Sequence, residues 1–303
     1  MREFTADYLT RTREGMWDDS HDALEPLALD ERERVLDVGC GTGELTRVLD
    51  ARCPGDVVGC DADRRLLAAA RERNRERRRE PDLESEGDDE GENGDESENE
   101  HSDPVDRNER DHGPVVAGDA LRLPFPDDTF DLVVCQALLI NLPDPAAAVR
   151  EFARVSSNLV AAIEPDNGSV TVDSSVDAEP PLERRARRAY LEGIETDVTL
   201  GASAREVFAE VGVEVLETRR YDHDRTIEPP YDEGALTVAK RKASGSGLAD
   251  DRATMLAGEL TEEGYDRLRT EWRSMGRDVI EQMGDREYRR REVVPFYVTV
   301  GAV

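Results

Sequence analysis

Val35-Leu36-Asp37-Val38-Gly39-Cys40-Gly41-Thr42-Gly43 decides how this chain is read. Arg34 to Val38 has the character of a short buried strand, and it runs into glycines at every second position. Glu44 then opens a helical pattern with Leu45, Val48 and Leu49 on one face. Strand, glycine turn, helix is how a doubly wound parallel sheet begins. Glycine admits positive φ and lets a ligand approach the backbone. The helix start behind it offers N–H groups and partial positive charge. Many nucleotide folds carry such a turn, so alone it does not identify the ligand.

The second half of the signal is Asp56-Val57-Val58-Gly59-Cys60-Asp61, a second strand ending on an acid. Asp61 stands 18 residues after Gly43, near the spacing at which ribose-binding acids follow such turns. A carboxylate there accepts hydrogen bonds from ribose hydroxyls. On these two motifs the chain resembles the class I S-adenosylmethionine-dependent methyltransferases. The resemblance implies an α/β, Rossmann-like fold: a seven-stranded, mostly parallel sheet with helices on both faces. It implies S-adenosyl-L-methionine as cofactor, contacted by Asp37, Gly39, Cys40, Gly41 and Gly43 of the first motif and by Asp61 and Ala62 of the second. The G-x-G-x-G spacing leans the same way, since G-x-G-x-x-G serves ligands with a pyrophosphate.

Two later runs extend the resemblance. Pro114 to Gly118 reads as strand three, and the Gly-Asp-Ala step after it places Asp119 and Ala120 at the adenine; as residue chemistry alone, Asp119 is equally a turn former. Leu123-Pro-Phe-Pro-Asp-Asp-Thr-Phe-Asp131 leads into strand four, Leu132 to Cys135, and is similar to the ubiquinone and menaquinone C-methyltransferases, also described as methyltransferase type 11. Gln136 to Asn141 forms the loop at that strand's carboxyl end, with Gln136 on the cofactor side. The histidines often found there are replaced by Leu139-Ile140-Asn141, which weakens any transfer of a particular substrate. Neither Asn-Pro-Pro-Tyr nor Asp-Pro-Pro-Tyr is present, and there is no Pro-Cys nucleophile, so methylation of nucleic-acid bases loses support.

Composition bounds the partners. The 303 residues carry 70 acids against 40 bases, a formal charge of −30, and only two of the bases are lysines, Lys240 and Lys242. That excess argues against capture of nucleic acid. It resembles the surfaces of proteins from salt-accumulating haloarchaea, with an ordinary acidic cytosolic protein as the alternative. Cys40, Cys53, Cys60 and Cys135 form no C-x-x-C pair, so no metal site is expected, and they read as buried thiols of a reducing compartment. With no apolar signal core and no run of membrane-spanning length, the expectation is a soluble cytoplasmic protein with no membrane partner. Oligomeric state is not legible.

Residues 1–30 read as an N-terminal helical lid over the cofactor or, equally, as a helix packed on the sheet edge, with Trp17 as shield or anchor. Residues 31–303 read as the methyltransferase domain. Within it, residues 82–112 are mostly Asp, Glu, Gly, Ser and Asn, which reads as a disordered acidic insertion. Asp63 and Asp144-Pro145 are helix starts, and Ser203 to Glu206 reads as a capping box. Leu159 to Ile163 is strand five and Val213 to Thr218 strand six, with a helix from Pro181 to Glu195 between them. That helix carries Arg184, Arg185, Arg187 and Arg188, which read as a solvated face pairing with local acids in preference to an anion site. Two helices, Glu233 to about Ala257 and Thr261 to about Met283, form an insertion over about 228–290. Val293 to Val303 reads as the antiparallel last strand, with Ala235 to Ala239 as the competing choice.

The implied reaction is methyl transfer to an unidentified small-molecule acceptor. No residue is certain to be catalytic. Glu164 and Asp166, at the expected mouth of the site, and His223, after strand six, are candidates. Turn chemistry explains Asp166 equally well, and His223 reads as a surface residue among Asp222 and Asp224 in preference to a site residue. Two rivals stand beside this reading: a non-catalytic, cofactor-binding partner subunit, and a nucleotide-dependent oxidoreductase, which the missing G-x-G-x-x-G disfavours.

Overall fold

The computed structural model describes residues 16–17, 21–77 and 114–303. The acidic insertion read at 82–112 and most of the segment read as a lid lie outside the described residues.

Eight strands form one sheet: β1 (Arg34–Val38), β2 (Asp56–Asp61), β3 (Val115–Ala117), β4 (Phe130–Gln136), β5 (Ser156–Pro165), β6 (Thr171–Ser174), β7 (Glu214–Ile227) and β8 (Arg290–Ala302). β3-β2-β1-β4-β5 are parallel neighbours; β8 runs antiparallel beside β5, and β7 antiparallel along the far edge of β8. β6 continues beyond β5 along the same edge of β8. Strand order reverses between β1 and β4, so the ligand crevice of such a sheet opens at their carboxyl ends. The fold is α/β and Rossmann-like.

Helices cover both faces because the central strands are apolar on both sides. On one face α1 (Glu44–Asp50) buries Leu45 and Leu49 against Val35, Leu132 and Ile163. On the other, α3 (Pro145–Val155) and α5 (Ala204–Glu210) bury Val149, Phe152 and Phe208 against Val133 and Val160. α2 (Arg64–Arg77) seats Leu67 and Ala70 beside Cys40 and Val115. Asp144 caps α3 by accepting from the Ala147 N–H at 2.9 Å, with Pro145 at the first helical position. Asp63 accepts from the Arg65 N–H at 2.7 Å at the head of α2.

Beyond the sheet's carboxyl ends lies a helical cap with its own core. It comprises α4 (Glu179–Glu192), α6 (Glu233–Ser244), α7 (Ser246–Asp250), α8 (Arg252–Ala257) and α9 (Glu262–Gly284), packed around Leu182, Leu268, Trp272 and Met275. α6 and α9 meet backbone to backbone at Gly276, where a Cβ would stand 2.3 Å from the Ala243 nitrogen.

Four expectations need correction. The strand expected at Val213 to Thr218 continues to Ile227, because its inward positions pair with β8: Tyr221 with Phe296, His223 with Val294 and Arg225 with Glu292. Tyr221 and His223 therefore lie inside a strand, and charged outward positions disguised it. The helix expected from Glu233 to about Ala257 is three helices, broken first at Gly245 with φ +69°. Ser203 makes no capping hydrogen bond, since it already has helical φ and ψ as the last residue of a 3-10 turn. The competing last strand, Ala235 to Ala239, lies in α6, and β8 is the antiparallel strand; β6 is an addition to the expected seven.

Candidate active site

The turn after β1 is built on three left-handed glycines, Gly39 (φ +73°), Gly41 (φ +56°) and Gly43 (φ +84°). Any other residue would strain each of them. Behind the turn Asp37 is buried and accepts from the Thr46 hydroxyl at 2.6 Å, which ties β1 to α1. Asp61, at the end of β2, accepts from the Gly41 N–H at 2.8 Å and from the Asp63 N–H at 2.7 Å. One carboxylate thus fixes the glycine turn and the head of α2 together. A carboxylate offers about four acceptor positions, so two N–H bonds are compatible with holding a ribose diol too. Ala62, next to it, is exposed. Asp119 is exposed at the next strand end and accepts from the Leu121 N–H at 2.9 Å, and Ala120 is buried beside it. Gln136, at the end of β4, is buried and donates to the Met16 sulfur at 2.9 Å. Parallel register brings the Gly39–Gly43 turn, Asp61 and Asp119 onto neighbouring strand ends, with Gln136 across the switch point. This donor and acceptor set fits an adenosyl cofactor.

Cys40 sits in the turn as packing. Burial pushes its thiol well above the ordinary range, and Asp37 and Asp61 push the same way. Burial raises Cys60 to about 12 and Cys135 far up as well. Such thiols stay protonated and inert. Among the described residues no group of three or more His, Cys, Asp or Glu could hold a metal ion.

The acceptor side differs from the sequence reading. Glu164 does not stand at a mouth; it is fully buried. Its carboxylate accepts from the backbone N–H groups of Leu138 (3.1 Å), Leu139 (2.9 Å) and Ile140 (3.4 Å) and from the Cys135 thiol. It is a positioning residue for the loop after β4. Asp166 closes its own turn, accepting from Gly168, from Ser169 N–H and from the Ser169 hydroxyl. His223 is not a surface residue: it is buried edge-on to Phe296, and its Nε2 accepts from Arg225 at 3.3 Å. Burial first and Arg225 second push its pKa down to about 4, so the ring is neutral at pH 7.

Three features were invisible in the sequence. Ala137 holds φ +48° between β4 and the Glu164-bound loop, a strained conformation of the kind found at functional sites. Leu138 lies against Gly39, where a Cβ would meet its Cδ1 at 2.9 Å, so the two loops touch across the switch point. Met16 and Trp17 form a wall: Tyr221 donates to the Met16 carbonyl at 2.8 Å, and its ring stacks on Trp17. No periodic signal marked any of these contacts.

Glu164 carries a pH prediction. Burial raises its folded pKa to about 7 from an ordinary 4.5, against the pull of the three N–H donors. A raised carboxyl contributes stability that is complete below about 4.5 and lost as pH rises to about 7. Glu164→Gln is expected to flatten that slope, worth about 3 kcal/mol across the window. The check is urea unfolding of both proteins at pH 4.5, 6 and 7.5. A constant difference between them at all three would contradict the expectation.

Residues 9–215 match the family described as Methyltransferase domain. The chain belongs to that family. Its curated relatives include an uncharacterized methyltransferase of Schizosaccharomyces pombe, 31% identical over 125 residues, which are 41% of this chain and 36% of the relative. A demethylmenaquinone methyltransferase of Corynebacterium kroppenstedtii is 33% identical over 123 residues, 41% of this chain and 37% of the relative. The chain thus spans little more than a third of the length of these two relatives. Among solved structures, the YcgJ protein of Bacillus subtilis aligns with 93% of this chain and 98% of its own at 16% identity and a TM-score of 0.49. Among the described residues of the chain no helix is long and apolar enough to cross a membrane.

Proposed function

We propose that this protein transfers a methyl group from S-adenosylmethionine to a small-molecule acceptor in the cytoplasm. The observation that carries the reading is the Asp61 carboxylate bridging Gly41 and Asp63 at the switch-point crevice. Asp61 would hold the ribose hydroxyls, with Ala62 alongside. Asp119 would accept from the adenine amine, with the Ala120 backbone N–H donating to the ring. The left-handed glycines would leave room for the methionine portion. When bound, the cofactor supplies an electrophilic methyl group on a sulfonium.

What remains for the chain is to position the acceptor and exclude water. The Met16–Trp17–Tyr221 wall and the loop fixed by Glu164 suit that task. His223 is neutral and stands beyond the carboxyl end of β5 on the outer strand β7, so it remains a candidate to take a proton if the acceptor must lose one. A quinone-type acceptor has weaker support: the menaquinone enzyme matches over only part of its length, and Leu139-Ile140-Asn141 replaces the expected histidines. The −30 charge supports operation in concentrated salt, as in a haloarchaeal cell.

The test is calorimetric titration with S-adenosylmethionine and S-adenosylhomocysteine from 0.1 M to multimolar KCl, beside a screen for S-adenosylhomocysteine release. Saturable binding of both, strengthened by salt, and turnover on at least one small acceptor are expected. Binding without turnover across a broad panel would favour a partner subunit. Absence of binding at every salt concentration would sink the reading.

A further inference from the structure

In a chain with 70 acids and 40 bases, cations are not expected to gather by chance. Yet three guanidinium groups converge on the Glu292 carboxylate of β8. Arg187 of α4 approaches it at 2.9 Å, Arg290 of β8 at 3.4 Å and Arg225 of β7 at 3.8 Å. Arg290 also meets Glu179 and Glu183, which hold Lys242. This network joins four cations to three carboxylates.

Its place in the fold matters. Pro165, the last residue of β5, pairs with Phe296, and Phe296 pairs with Tyr221 of the wall. His223 and Arg225 follow on β7, two and four residues further out on the same inward face. At about 3.3 Å per residue they stand about 7 and 13 Å beyond the end of β5. The network reaches solvent at its outer members. Lys242 and Arg290 are almost fully buried under the cap, whereas the side chains of Arg187 and Arg225 are 20% and 33% exposed. Arg187 also donates to the Val170 carbonyl at 3.2 Å, on the loop between β5 and β6, which fixes its guanidinium across the gap.

We propose that Arg187 and Arg225, with His223 beside them, form an anion subsite that takes a carboxylate or phosphate group of the methyl acceptor. The inference rests on the methyltransferase reading and narrows its acceptor to an anionic molecule. A guanidinium has five N–H donors in a planar fork suited to either oxyanion. Glu292, shared among three arginines, holds the two partly exposed ones on one carboxylate. The neutral His223 adds no opposing charge, and Phe296 packs edge-on against it.

The test is calorimetric titration with inorganic phosphate and, separately, malonate, at ionic strength held constant with KCl. The proteins are the parent, Arg225→Gln, Arg187→Gln and, as control, Arg291→Gln, whose guanidinium pairs with Asp224. Saturable binding is expected in the parent and the control, weakened at least tenfold in the other two. Arg225 is exposed enough for its variant to fold, and unfolding midpoints without ligand verify that for each. The two titrants separate phosphate from carboxylate preference. Equal binding in all four proteins, or none in the parent, overturns the subsite. Titration of S-adenosylhomocysteine into the same samples reads the methyltransferase assignment independently, since Arg225→Gln leaves the glycine turn and Asp61 intact.

Discussion

Asp61→Ala is expected to weaken S-adenosylhomocysteine binding by one to two orders of magnitude while the fold persists. Two effects add. The ribose loses a charged acceptor, and each hydrogen bond to a charged group is worth about 1.5–3 kcal/mol. The Gly41 and Asp63 N–H groups also lose the oxygens that fix them, so the turn spends less time in the binding geometry. About 1.4 kcal/mol is tenfold in affinity, so even the lower of these losses crosses that line. Asp61→Asn separates the two contributions. Its one amide oxygen can still accept from Gly41 but not from Asp63 as well, so it should keep the turn while losing the charge and the contact to the head of α2. Asp61 is only partly buried, and the sheet beneath it rests on Cys60 and Val57, so far-ultraviolet circular dichroism should not change. The measurement is calorimetric titration in high salt. An unchanged dissociation constant in Asp61→Ala would falsify both the ribose assignment and the role of this carboxylate in holding the turn.

The cofactor half was legible in the sequence for a physical reason. Strands buried on both faces read as short apolar runs, and glycines punctuate them where φ must be positive. β1 and β2 accordingly begin and end at the residues read from sequence, Arg34–Val38 and Asp56–Asp61. The acceptor half resisted for the converse reason. β7 is an edge strand with one face covered, so its outward positions are charged and only alternate residues carry the signal. Period two is easily lost in a run such as Arg219-Arg220-Tyr221-Asp222-His223-Asp224-Arg225. Glu164 failed differently. An acid at a strand end looks like a ligand contact, and nothing local tells that three backbone N–H groups from another strand's loop will enclose it. The arginines of α4 divide in the same way. Arg188 pairs with the local acid Glu192 as expected, while Arg185 reaches the exposed Glu271 of α9, 86 residues away, and Arg187 turns inward to Glu292, 105 residues away.

Glu179→Ala is expected to destabilise the protein by about 3 kcal/mol, because it removes one of the two carboxylates that hold the buried Lys242 ammonium and leaves the Tyr288 and Ser174 hydroxyls without their acceptor. Glu179 opens α4 and is fully buried. It accepts from the Lys242 ammonium, from the Tyr288 hydroxyl at 3.0 Å and from the Ser174 hydroxyl at 2.5 Å, and Arg290 lies 3.4 Å away. Those partners come from α6, from β8 and its approach, and from β6, so one carboxylate joins the cap to the outer sheet. Its position in the first turn of α4 adds the favourable end of the helix dipole. The ion pair is not itself the source of net stability, since desolvation offsets most of the attraction. Glu179→Leu combined with Lys242→Met should therefore recover much of what the single change loses. Salt should alter neither result greatly, because a buried pair is weakly screened. Urea unfolding followed by tryptophan fluorescence is the measurement, with Trp272 reporting from the cap within 5.8 Å of the Lys242 ammonium. If the cap opens alone, the fluorescence transition will precede the loss of secondary structure by circular dichroism, and the single variant will widen the gap. A loss below about 1 kcal/mol in Glu179→Ala would mean that water reaches Lys242 and that the cap is held by its apolar core.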